Sequence, residues 1–159
     1  YLNVSAHTIM HPDFCSIFTD FVDKHELAPN KFGLEVTETA ELSDISIASK
    51  SLSLLKDKGI KIALDDFGAG YASLKYVRDL PIDVVKLDKH FTFNVSDSST
   101  ARLISFVSEV CEDLELEMIG EGIETEEDKN MMLDLGCKIG QGYLMHRPDF
   151  LDSFKVKET

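Results

Sequence analysis

Apolar positions along the chain switch repeatedly between a two-residue and a three-to-four-residue period, with short polar or glycine-bearing segments between them. The start, YLNVS, reads as the end of a strand, and a helix is predicted over about Asp13 to Leu27, with Phe14, Ile17, Phe18 and Phe21 on one face. FGLEV, Phe32 to Val36, has strand character. Ser43 is the predicted N-cap of a helix in which Ile45, Ala48, Leu52 and Leu55 recur at helical spacing, and Gly59 stops it. IKIALD, Ile60 to Asp65, is the next strand, followed by a short helix over Ala72 to Asp79 that Pro81 ends. IDVVKLD, Ile82 to Asp88, is again a strand. A longer helix, Ser98 to Leu114, is predicted to turn Leu103, Val107, Val110 and Leu114 inward, and Glu115 to Gly120 follows as a strand. Thr125 and Asp128 form a capping box for a helix closing at Gly136, and CKIGQGY supplies the last strand.

Six strands alternating with helices predict a parallel sheet with right-handed crossovers, either an open doubly wound sheet or part of a (β/α)8 barrel. Polar residues decide between the two. Asn3, Glu35, Asp65 with Asp66, Lys86, Glu121 and Gln141 each fall at or just past the C-terminal end of a different predicted strand. In a barrel those ends converge on one face and build one site, whereas an open sheet spreads them along a line. One convergent site favours the barrel.

Composition narrows the function classes. The 159 residues are 43 % hydrophobic, enough for one domain with a real core. A formal net charge of −13 excludes a DNA or RNA surface, because little here would release counterions from a phosphate backbone. Cys15, Cys111 and Cys137 are widely spaced and odd in number, which predicts reduced thiols in a cytoplasmic domain rather than disulfides or a metal cluster. No apolar run reaches about 18 residues, and the first residues lack a signal-peptide pattern. His7 and His11 have helical i, i+4 spacing, but no glutamate lies between them as in HExxH, so they are read as a solvated pair.

The stretch IKIALDDFGAGYAS poses the chemical question, since two adjacent carboxylates at the rim of a core need a compensating charge. Taken alone, DDFG is common turn chemistry. Together with the other strand-end residues it gives several oxygen donors, one lysine and no histidine, a set suited to hard cations such as Mg²⁺ or Mn²⁺. Two such ions sharing a carboxylate can activate a water and stabilise the attacking and leaving oxygens of a phosphoryl displacement, so a phosphate ester is the predicted substrate.

LNVS, LEVTE, DDFGAGYASL, DVVKLDKHF, EGIET and GQGYL, in this order, resemble the EAL-domain phosphodiesterases, which hydrolyse the bacterial second messenger cyclic di-GMP. The resemblance covers essentially the whole chain. It implies a (β/α)8 TIM-like barrel and Mg²⁺- or Mn²⁺-dependent cleavage of one phosphodiester to linear pGpG. Carried onto this chain, it implies Asn3, Glu35 and Asp65 as metal ligands, with Asp66 mainly on a second ion. Lys86 contacts the attacking water and the phosphate. Glu121 is a metal ligand or a general base, and Gln141 positions substrate or water. Glu38 supports the loop after Asp66, and that loop, Phe67 to Ser73, contributes to a homodimer.

The chain departs from the family pattern in one respect. The Glu-Ala-Leu motif itself is absent, and its glutamate is a metal ligand in the family. Residues 1–159 therefore read as a partial EAL domain of about six parallel strands, from the third strand to the end of the barrel. Upstream sensor or diguanylate cyclase modules are expected in the parent protein, which itself could be membrane-anchored. The alternative to a phosphodiesterase is a non-catalytic receptor that binds cyclic di-GMP and signals through a partner domain. The full set of visible ligands argues against it, and the isolated chain is expected to be inactive.

Overall fold

The computed structural model of the chain describes residues 1–37, 44–69 and 73–149. Strands β1 (Leu2–Asn3), β2 (Gly33–Thr37), β3 (Lys61–Phe67), β4 (Val84–Leu87), β5 (Glu117–Gly120) and β6 (Ile139–Gly140) lie side by side in chain order, every neighbouring pair parallel. Helices α1 (Ala6–Ile9), α2 (Phe14–Lys24), α3 (Ile45–Asp57), α4 (Ser73–Asp79), α5 (Lys89–Phe93), α6 (Ser98–Asp113) and α7 (Glu126–Asp134) connect them. Among the described residues, none of these helices is long and apolar enough to cross a membrane.

The two-residue period of the strands sorts the core from the site. Leu34 and Val36 of β2, Ile62 and Leu64 of β3, Val85 and Leu87 of β4, and Met118 of β5 all belong to one buried cluster. They share it with Ala48, Leu52 and Leu55 of α3, Ile104 and Val107 of α6, and Met132 of α7. Side chains alternate across a strand, so Glu35, Asp65 and Lys86 fall on the opposite face. Truncating one of the fully buried positions, such as Leu64→Ala, costs about 2–5 kcal/mol.

Several predicted element details shift. The first long helix buries Val22, whereas Ile17 is 64 % exposed. Its inward stripe runs Phe14, Phe18, Val22, at steps of four, and the Phe14 and Phe18 rings stand 5.9 Å apart. Ile17 and Phe21 are rotated to its flank. In α6 the buried residues are Ile104, Val107 and Cys111, while Leu103 is 54 % exposed and Leu114 lies outward too, so the predicted stripe was turned by about one residue. Ser43 lies outside the described residues, and the α3 cap is Asp44, whose side chain accepts from the Ile47 N–H at 3.1 Å. The fifth strand begins only at Glu117, after Glu115 has turned through φ 57°. Thr125 and Asp128 do form a reciprocal capping box. Helices α1 and α5 escaped the sequence because each is a single short turn, too brief to show a period.

Candidate active site

A regular strand would send Asp65 and Asp66 to opposite faces. Strand β3 runs on past the predicted end to Phe67, and its register with β4 shifts between Leu64 and Phe67. Asp66 there adopts φ 55°, a left-handed conformation that aspartate tolerates better than most side chains. The irregularity lets both carboxylates serve one place: oxygens of Asp65, Asp66 and Glu121 all lie within 4.8 Å of one another. Gly68, at φ 97°, then turns the chain away, and a Cβ there would strike the Phe91 ring at 2.2 Å.

Lys86 is the hub. Its ammonium, 4 % exposed, pairs at 2.7 Å with Glu35, with Asp65 and with Glu121. Burial opposes that charge, but the hydrogen bonds to Asp65, Glu121 and Glu35 outweigh it and hold the lysine above its ordinary pKa. The acids are less well served. Burial raises the pKa of Glu121 against the pull of Lys86, and burial together with the charges of Asp65 and Asp88 raises that of Asp66. Glu35, Asp65, Asp66 and Glu121 thus set four carboxylates against one ammonium. This surplus of hard oxygen donors, without soft ligands, fits a divalent cation of the Mg²⁺ or Mn²⁺ type.

The remaining predicted residues are placed as follows. Glu35 is the middle residue of β2 rather than its end, a depth from which it reaches Lys86. Asn3 ends β1 and is the register partner of Glu35. Gln141 follows β6, its N–H donating to the Gly120 carbonyl at 2.8 Å, and it lines one cavity with Glu121. Glu38 and residues 70–72 of the loop after Asp66 lie outside the described residues.

Two contributors were not singled out in the sequence. Asp88, buried just past β4, caps α5 by accepting from the His90 N–H at 2.8 Å, bonds the His90 ring, and adds its charge to the field at Asp66. Its place after an apolar strand, as in the other site residues, was the available signal. Thr92, fully buried, donates to the Glu121 carbonyl at 2.5 Å and pins that residue's backbone. Nothing in local sequence announces this contact between α5 and the end of β5.

This architecture matches solved structures. A structure of PaMucR phosphodiesterase in complex with c-di-GMP superposes with a TM-score of 0.85 at 33 % identity, covering 94 % of this chain and 61 % of that one. Klebsiella pneumoniae BlrP1, in a manganese and cy-diGMP complex, gives 0.81 at 30 % identity, covering 89 % and 37 %. In sequence, the bifunctional diguanylate cyclase/cyclic di-GMP phosphodiesterase MucR of Pseudomonas aeruginosa is 34 % identical over 148 residues, 92 % of this chain and 22 % of MucR. The chain spans about a fifth to a quarter of the length of the curated relatives it matches. The α/β fold is that of the EAL-type TIM-like barrels, here with six parallel strands. The EAL domain family model matches residues 1–148, and the chain belongs to that family.

Proposed function

We propose that this EAL domain hydrolyses cyclic di-GMP to linear pGpG. The observation that carries the proposal is the cluster of Asp65, Asp66 and Glu121 oxygens beside the buried Lys86. Asn3, Glu35, Asp65, Asp66 and Glu121 would hold two Mg²⁺ or Mn²⁺ ions, which when bound supply Lewis acidity and a reactive water. With ions drawing Glu35, Asp65 or Glu121 toward themselves, Lys86 would have N–H donors free for a phosphoryl oxygen and the attacking water, while the surrounding carboxylates keep it charged. Glu121, with its raised pKa, is also suited to accept the water's proton. Gln141 orients substrate or water from the far side of the shared cavity, and Glu38 supports the loop after Asp66.

The six strands are proposed to form a (β/α)8 barrel from its third strand onward, as the 61 % coverage of the PaMucR chain supports. A homodimer through the loop after Asp66 and a sensor or diguanylate cyclase module elsewhere in the protein belong to the same reading. So does a cytoplasmic setting, in keeping with three free cysteines. The test is to incubate the intact protein with cyclic di-GMP and Mg²⁺ or Mn²⁺ and to separate the products chromatographically. Appearance of pGpG, stopped by a chelator, is the expected result. Tight binding without turnover would instead make the domain a receptor.

A further inference from the structure

Asp66 lies on β3 and Glu121 just past β5, so β4 stands between them. Strands two places apart are about 10 Å from each other along a sheet, yet oxygens of these two carboxylates come within 4.8 Å. The side chains meet over the end of β4, close to where each chain turns away, at Gly68 with φ 97° and at Gly122 with φ 71°. Helix α5 starts in that gap. On one side a Cβ at Gly122 would meet the Lys89 Cβ at 2.7 Å, and on the other the Phe91 ring occupies the place of a Cβ at Gly68. The Asp88 N–H, at the helix cap, donates to the Phe67 carbonyl at 3.3 Å, and the Thr92 hydroxyl donates to the Glu121 carbonyl at 2.5 Å. A helix of five residues is too short to stand alone, so contacts of this kind hold it in place.

Resting on the proposed function, we infer that α5 is the spacer that fixes the separation of Asp66 and Glu121, and that Thr92 is the positioning residue through which it acts on Glu121. The Glu121 N–H donates to the Leu87 carbonyl at 3.2 Å and ties one side of that residue to β4. Thr92, fully buried, ties the carbonyl side. The two bonds together restrict the backbone that aims the carboxylate, a restraint that Gly122, free to adopt several conformations, does not supply. Without the hydroxyl the Glu121 carbonyl loses this partner, and the carboxylate is less well held against Asp66. Groups that orient a metal ligand in this way govern metal affinity as well as activity.

The test measures Mn²⁺ binding to the intact protein by calorimetry. Thr92→Val keeps the volume and removes the hydroxyl, and should weaken Mn²⁺ binding about tenfold. Thr92→Ser keeps the hydroxyl and removes a buried methyl, and should bind Mn²⁺ as the unsubstituted protein does. A packing role would give the reverse order, with the serine variant the weaker binder. That order, or unchanged affinity in Thr92→Val, overturns the inference while leaving the proposed function standing. If circular dichroism shows that Thr92→Val does not fold, Phe91→Leu decides in its place. That change trims the spacer on the Gly68 side and should also weaken Mn²⁺ binding, and unchanged affinity overturns the spacer. Failure of the unsubstituted protein to bind Mn²⁺ overturns both readings.

Discussion

The two ends of the sheet use the same residue types in opposite ways. At the N-terminal end charges are matched one to one. Lys56 pairs with Asp83 at 2.8 Å, Lys61 pairs with Glu117 at 2.7 Å, and Asp83 also accepts the Ile62 N–H at 2.9 Å. At the C-terminal end one lysine serves three carboxylates, and Asp66 adds a fourth negative charge. The first arrangement is partly solvated and self-sufficient. The second is buried and charge-imbalanced, which is costly for a fold and useful for binding cations. In a parallel barrel the former end serves stability and the latter chemistry.

The sharpest way to break that contrast is Asp65→Asn. It should lower hydrolysis of cyclic di-GMP by about 10²–10³-fold or more while far-UV circular dichroism stays unchanged. Undiminished turnover with Mg²⁺ would remove the metal role of that carboxylate. Lys86→Ala comes next, because it strands the buried Glu35 and the half-buried Asp65 and Glu121 and should lower stability by about 3 kcal/mol in urea titration. Its turnover should fall further than its affinity for Mg²⁺, and equal losses would contradict a role on the substrate. Asp83→Ala tests the opposite end. With an ion pair and a backbone partner gone, about 1–2 kcal/mol of stability should be lost, with kcat as before. Lys61→Met should do least: its partner is half exposed, so its unfolding free energy should fall by under about 1 kcal/mol, and a larger loss would mean that this end is not merely solvated pairing.

Much of this contrast was written in the chain. Strand order, the inward face of α3 and the placing of Asn3, Glu121 and Gln141 at strand ends follow from periodicity and from glycine and proline punctuation, which local sterics enforce. The inward face of α6 did not. Leu103 and Ile104 are both good core residues, and only the direction of the sheet beneath selects Ile104. The convergence of Glu35, Asp65 and Glu121 on Lys86 was foreshadowed, but the depth of Glu35 within β2 depends on the reach of one lysine across neighbouring strands. The Thr92 contact to Glu121 joins residues 29 apart and has no local signature at all.

The left-handed Asp66 makes the length of β3 as consequential as its composition. A side chain swapped within Lys61 to Leu64 alters packing at one point. Removing one residue there would slide every later residue to the other face, carrying Asp65 away from Lys86 and moving the irregularity off the one aspartate that tolerates it. For this segment, then, deletions and substitutions are different kinds of damage. Variants that keep every site residue yet shorten the strand by one should be as silent as those that lose the aspartates outright.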